Sequence, residues 1–406
     1  MFDEKTEALC KELDIDVWFP PAALRNRCDN KMETVRIGNK AGVPSVPNAL
    51  SKVEQLRAPP GICIDAGIGH DIVIQTAFGD SGHTTFFISN EEEWRKHADE
   101  ITAEHEVKIM KRISCRGSTL EACVTRCGTI VGAAVDGDRW AEGPDAIQGW
   151  MVRERGLSRR ILGRRAREGR ASMAFKFGNQ LWQEGYRGYF DLDFLIDRDG
   201  GDVYLGELNP RVCGASPMTN HAAFAYADVP LFLFHLLEFS GQEFDLDVEA
   251  LNARWADPEF IDSWSQIVIK HTEDNVDVVT QAPPTGIWKQ ASDGSVVLSP
   301  VRLSPRRRRK RARGVLPAHH RKRRLSLRGR GSRHTDHARA LDDRGFRRST
   351  GRADNWIKGL EVLLLRQTAR GRAAARRRRR PERSRFSDMR SSLPGDARQA
   401  VMWCRR

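Results

Sequence analysis

The spacing of hydrophobic and polar positions changes period repeatedly along the chain, and each change marks an element. Residues 5–13 carry a short amphipathic helical pattern, and Val17 to Pro21 reads as a short strand and turn. Asp29 is the expected cap of a helix running through Lys31, Val35 and Ile37 to Gly42, after which the chain extends to Pro47. Asp71–Gln75 and Phe86–Ser89 read as strands joined by a polar loop at 79–85. Glu91–Ile101 reads as a helix capped by Ser89 or Asn90, with Glu91, Glu92 and Glu93 in the first turn, where the helix dipole favours acids. Val107–Met110 is another strand, and 122–126 with 129–133 forms a hairpin about Cys127 and Gly128. A helical stretch from about Arg159 to Glu184 precedes a second hairpin, and further helices are expected near Met218–Tyr226 and Val229–Phe239.

The second hairpin, Gly185 to Arg211, is the most informative segment. Its strands are joined by a turn at 197–202. Side chains alternate faces along a strand, so Phe190, Leu192, Phe194 and Ile196 share one face and Asp191, Asp193 and Leu195 the other. On the returning strand Val203, Leu205, Glu207 and Asn209 share a face. If the strands pair, Asp193 meets Glu207 and Asn209, and three hard oxygen ligands followed by Arg211 suit Mg²⁺ holding a polyphosphate. Taken alone, an ordinary hairpin with a solvated polar face meets the same pattern.

Charge divides the chain. Residues 1–300 hold 32 Lys+Arg against 46 Asp+Glu, whereas residues 301–406 hold 35 against 8, so the formal +13 belongs to the tail. That tail, with runs such as Arg306–Lys310 and Arg376–Arg380, has no amphipathic order and is expected to be irregular or read in a displaced frame. Its few aromatics and lack of a zinc pattern argue against specific nucleic-acid recognition, although its charge attracts polyanions. The eight cysteines contain no Cys-x-x-Cys pair, so a zinc site is not expected and reduced thiols in a cytoplasmic protein are. The acidic start is no signal peptide, and the apolar run 229–239 is too short to span a bilayer.

The loop Gly79-Asp80-Ser81-Gly82-His83-Thr84-Thr85 has glycines that turn N–H groups toward an anion and hydroxyls that donate to it. It lies between two strands and lacks a Gly-Lys-Ser/Thr ending, so it is no P-loop. The order of parts is more specific than any one of them. A helix bearing Lys31 comes first, then the strand–glycine loop–strand, then the strand ending Met110-Lys111-Arg112-Ile113, and last Asp193 with Glu207-Leu208-Asn209-Pro210-Arg211. Over residues 25–290 this order resembles the ATP-grasp superfamily of carboxylate–amine ligases and biotin carboxylases.

The resemblance implies an α+β fold in which two α+β subdomains clasp ATP. It implies a remnant of a preceding domain at 1–28, an ATP-grasp domain at 29–300 with a smaller lid at about 60–135, and the Arg-rich tail at 301–406. It further implies that Lys31 is a phosphate- or adenine-side lysine, that residues Gly79 to Thr85 form a loop over the phosphates, that Met110, Lys111 and Ile113 line the adenine hinge, and that Glu121 reaches the ribose. Asp193, Glu207 and Asn209 would hold Mg²⁺ or Mn²⁺, and Arg211 would face an acyl phosphate. One departure stands out: where such proteins carry a second lysine on the strand before the loop, this chain has Gln75. A neutral amide can bond a phosphate but cannot neutralise it, and His83 is the expected compensation. The implied activity is ATP-dependent ligation of small carboxylate and amine substrates, with a homodimer considered and no membrane or specific nucleic-acid partner. The competing readings are biotin-dependent carboxylation, against which the absence of an acid after Arg211 weighs, and an inactive remnant or nonspecific polyanion binder.

Overall fold

Helix boundaries follow from side chains that cap them. Asn30, not Asp29, starts the lysine-bearing helix: its side chain accepts the N–H of Met32 at 2.8 Å. Asp29 instead ends a separate helix, where it pairs with Arg25 at 3.4 Å. The first three helices are therefore α1 (Glu4–Glu12), α2 (Ala22–Asp29) and α3 (Lys31–Lys40). The strand expected at 17–21 does not form, since Pro20 and Pro21 have no N–H to give a sheet. That segment is held by His235, whose Nε2 donates to the Trp18 carbonyl at 2.8 Å while its Nδ1 accepts the Tyr189 N–H at 3.0 Å.

The computed structural model describes residues 2–52, 67–79, 84–141, 150–157, 164–220, 229–256, 264–271, 286–290, 295–299, 313–316, 326–330 and 399–405. They belong to two units, Met1–Asp136 with Leu162–Ile261, and Gly137–Ile161 with Asp262–Arg406.

The first unit holds a small antiparallel sheet of β1 (Asn48–Lys52), β2 (Ile72–Gln75), β3 (Thr85–Ile88) and β4 (Glu106–Lys111), in the order β1-β4-β2-β3. Alternation gives it two different faces. Ile72, Ile74, Phe86, Ile88, Val107 and Ile109 pack with Ile101 of α4 (Glu91–Thr102). On the other face Val73 and Met110 pack with Val46, Ile113, Leu195 and Tyr204.

The larger sheet of this unit contains β5 (Cys115–Thr125), β6 (Gly128–Ala141), β8 (Gly188–Asp197) and β9 (Val203–Asn209) in the order β6-β5-β8-β9. Leu120, Val124, Phe190, Leu192, Phe194, Leu205 and Leu208 pack against Ala174, Phe177 and Leu181 of α5 (Arg164–Gln183). Burial on this scale is the main driving force for the unit.

Leu205 lies in this core, contrary to the face it was expected to share with Glu207 and Asn209. The cause is a break in register: Asp193 pairs with Glu207 but Phe194 pairs with Leu205, so Gly206 is the extra residue. A Cβ at Gly206 would stand 3.0 Å from the Asp193 carbonyl oxygen, so the close approach requires glycine. Of the helix expected near 218–226 the described residues show the turn α6 (Ser216–Met218), continued helically through Thr219 and Asn220; residues 221–228 lie outside those described. α7 (Leu231–Phe239) and α8 (Val248–Ala256) complete the unit.

In the second unit β10 (Trp264–His271) pairs antiparallel with both β7 (Trp150–Leu157) and β15 (Gln399–Arg405). The remaining strands there are β11 (Gly286–Gln290), β12 (Val296–Ser299), β13 (Arg313–Leu316) and β14 (Ser326–Arg330). Among the described residues no helix is long and apolar enough to cross a membrane.

Candidate functional site

Directly opposed residues in an antiparallel sheet share a face, so the register of β5, β8 and β9 defines a polar patch. Glu121, Asp191 and Asn209 form one row across the three strands. Thr119, Asp193 and Glu207 form the next. The structure thus brings Asp193, Glu207 and Asn209 together, as the hairpin pattern required. The Asn209 amide nitrogen donates to Asp193 at 3.2 Å and to Asp191 at 3.3 Å, tying the two aspartates together. Thr119 donates its hydroxyl to the other oxygen of Asp191.

Cations stand at the β9 end of this patch. Lys31, only 3% exposed, donates to the Gly79 carbonyl at 3.0 Å and lies 3.6 Å from the Glu207 carboxylate. Burial pushes the Glu207 carboxyl above its usual range, against the pull of Lys31 and Arg211, while Asp193 adds to the push. Arg211 is half-buried just beyond β9, its N–H bonded to the Asn209 carbonyl at 2.8 Å.

A second buried lysine was not among the expected residues. Lys108 lies on β4, directly opposite Gln75 of β2, and its Nζ donates to the Gly206 carbonyl at 3.4 Å. Burial lowers it to about 8; Glu207 raises it and Lys31 lowers it further. Its signal in the sequence was a lysine set between Val107 and Ile109, on the parity of Met110.

The loop stem is closed by the β2–β3 hairpin, the Thr76 N–H bonding the Thr84 carbonyl at 3.2 Å and Gln75 donating to the Thr85 hydroxyl at 3.3 Å. Gly79 has φ +148°, and a Cβ there would strike Thr84. Asp80, Ser81, Gly82 and His83 lie outside the described residues. Met110 is buried on the face shared with Val73, and Lys111 is exposed. The N–H groups of Lys111 and Arg112 are bonded to the carbonyls of Pro47 and Asp71, both at 3.0 Å. Ile113 borders the apolar cluster beside Met110.

Glu121 is fully buried. Tyr189 donates to one of its oxygens at 2.7 Å, and the Cys213 thiol at 3.2 Å and the Ser216 hydroxyl donate to the other. Burial pushes its carboxyl up, and these donors pull it back. The ligand atoms of Glu121, Asp191 and Cys213 lie within 4.8 Å of one another, which makes them a second group with metal-binding spacing. The donors come from up to 95 residues away in sequence, so no local motif announced them.

Two sets of residues can therefore hold a cation, and they differ in what already occupies their oxygens. Asp193, Glu207 and Asn209 offer two carboxylates and an amide oxygen, hard donors suited to Mg²⁺. The Glu121 oxygens are already bonded to a hydroxyl, a thiol and a phenol.

No family model matches the sequence, and no curated protein does. Solved structures do match. The biotin carboxylase domain of Hydrogenobacter thermophilus 2-oxoglutarate carboxylase, determined as a dimer with MgADP, ADP and bicarbonate, is 16% identical, with a TM-score of 0.53 over 70% of this chain and 61% of that one. Campylobacter jejuni biotin carboxylase, determined with a β,γ-ATP ligand, is 15% identical, with a TM-score of 0.50 over 71% of this chain and 60% of that one. The chain thus spans about three fifths of the length of either protein. With its α+β architecture and paired antiparallel sheets, this chain has the ATP-grasp fold.

Proposed function

We propose that the chain is an ATP- and Mg²⁺-dependent ligase that activates a carboxylate as an acyl phosphate for attack by an amine. The observation that carries this reading is the cluster of Asp193, Glu207 and Asn209 on adjacent rows of β8 and β9, with buried Lys31 beside Glu207 and buried Lys108 bonded to the Gly206 carbonyl. Beside them, Val46, Val73, Met110 and Tyr204 offer an apolar wall suited to a flat base. An apolar end and a charged end in one site match the two halves of a nucleotide.

Phosphoryl transfer needs alignment and positive charge more than covalent help. The substrate carboxylate oxygen bonds to the γ-phosphorus as the bond to ADP breaks, and ADP leaves with the electron pair. The amine then attacks the acyl carbon, phosphate departs, and the amine proton passes to solvent. Lys31 and Arg211 neutralise the transferred group, and the Gly79 turn with Thr84 and Thr85 frames the phosphates. Mg²⁺ held by Asp193, Glu207 and Asn209 would supply further neutralisation of the phosphate oxygens.

Carboxylation of biotin is the second reading. After Arg211 the chain continues Val212-Cys213-Gly214-Ala215-Ser216, with Cys213 and Ser216 both bonded to Glu121 and no acid in the run. That places ligation ahead. Calorimetry of ADP binding to the full chain, with and without Mg²⁺, tests the nucleotide site; absence of binding under both conditions overturns it. Biotin-dependent phosphate release from ATP and bicarbonate would decide for carboxylation.

A further inference from the structure

Position 75 is neutral, yet the face it occupies is not. Lys108 stands directly across from Gln75 in the pairing of β2 with β4. Opposed residues project to the same side of a sheet, so the two side chains sit next to each other on the face that carries Val73 and Met110. The apolar neighbours of Lys108 on its own strand, Val107 and Ile109, belong to the opposite face beneath α4. Its parity partner Met110 belongs to the face of Lys108 itself, with Val73 and Tyr204.

The local accounting leaves Lys108 under-served. An ammonium carries three donors, and burial of a charge is costly unless it is paired. Lys108 is 1% exposed, and among the described residues its one hydrogen bond is to the neutral Gly206 carbonyl, at 3.4 Å. The nearest acid, Glu207, is in an ion pair with Lys31. Of the two buried ammonium groups only Lys31 has a carboxylate in ion-pair range, and the Gly79 and Gly206 carbonyls are their hydrogen-bond partners. A multiply charged oxyanion reaching these two groups would satisfy both. Gln75 meanwhile is engaged in the other direction, donating to Thr85 at the loop exit.

We infer that Lys108 is the second phosphate-binding cation of the nucleotide site, with Gln75 acting as a neutral brace for the loop stem. The division moves a positive charge one strand sideways without moving it off that sheet face. This inference rests on the nucleotide-site reading above.

The test uses calorimetry on the full chain with three titrants: MgADP, adenosine and inorganic tripolyphosphate. Lys108→Gln is expected to weaken MgADP and tripolyphosphate by about tenfold or more, the scale of one charge-assisted hydrogen bond, and to leave adenosine unchanged. Lys108→Arg retains most of the affinity, and Gln75→Lys in the Lys108→Gln background restores part of it. Equal MgADP affinity in wild type and Lys108→Gln overturns the inference while leaving the nucleotide site intact; a wild type blind to all three titrants overturns both. If Lys108→Gln fails to fold, Lys108→Met, which keeps the buried stem and removes only the charge, takes its place: weakened MgADP and tripolyphosphate with adenosine unchanged supports the inference, and wild-type MgADP affinity overturns it.

Discussion

Glu121 and Glu207 lie two strands apart on the same face of one sheet, and their surroundings are opposites. Glu121 is sealed, with a phenol, a thiol and a hydroxyl filling its oxygens. Glu207 is half-buried, and its partner Lys31 stands at 3.6 Å, too far for a tight ion pair. The contrast teaches how to read a buried acid. One whose oxygens are all taken by neutral donors orders the architecture around it; one loosely balanced by a cation can exchange that partner for a ligand.

Removing each acid should therefore cost different things. Glu121→Ala leaves three donors unsatisfied in the interior, and a loss of about 3 kcal/mol in unfolding free energy is expected by denaturant titration. Glu207→Gln, which keeps an amide oxygen facing buried Lys31, should cost less, about 1 kcal/mol. Equal losses in the two variants would erase the distinction. The reverse holds for ligands. Glu207→Gln combined with Asn209→Ala should weaken Mg²⁺-dependent ADP binding by about 10- to 100-fold, read by calorimetry, with the Mg²⁺-free affinity little altered. A smaller effect sharpens the same contrast from the backbone: Gly206→Ala pushes a methyl against the Asp193 carbonyl and should cost about 1–2 kcal/mol while also disturbing Mg²⁺ dependence.

A third carboxylate marks the weak limit. Glu184 at the end of α5 accepts from Lys40 at 2.7 Å and Arg27 at 3.0 Å. The Lys40 bond holds its carboxyl at about 2, below the ordinary 4.5, with Arg27 and Gln180 assisting against burial. A depressed folded value means that the stabilisation is complete above about 4.5 and fades as pH falls toward about 2. Because Lys40 is 58% exposed, Glu184→Gln should cost under about 1 kcal/mol at neutral pH and flatten the acid limb of the stability curve.

The parts of this site that could be read from sequence are those set by parity within one hairpin. Asp193, Glu207 and Asn209 meet because alternation and a short turn leave few other registers. The Leu205 assignment failed because a single extra residue, Gly206, flips the parity of everything before it. Asn30 was passed over for its neighbour because both residue types cap helices and only the observed bond distinguishes them. The partners of Lys108 and of Glu121 were invisible for another reason: they arrive from strands and turns far along the chain, and pairing across that distance leaves no periodic trace.

The ring of His235 has both nitrogens committed, one receiving a main-chain proton from Tyr189 and the other giving its own to Trp18. Only a single tautomer satisfies that arrangement, and taking up an extra proton would forfeit the Tyr189 bond. Burial already lowers this imidazole below its usual value of 6.5, so the neutral ring is the one that fastens the leading segment to α7. Mild acid should accordingly unbutton the first twenty or so residues before the sheet itself gives way, and proteolysis would begin there.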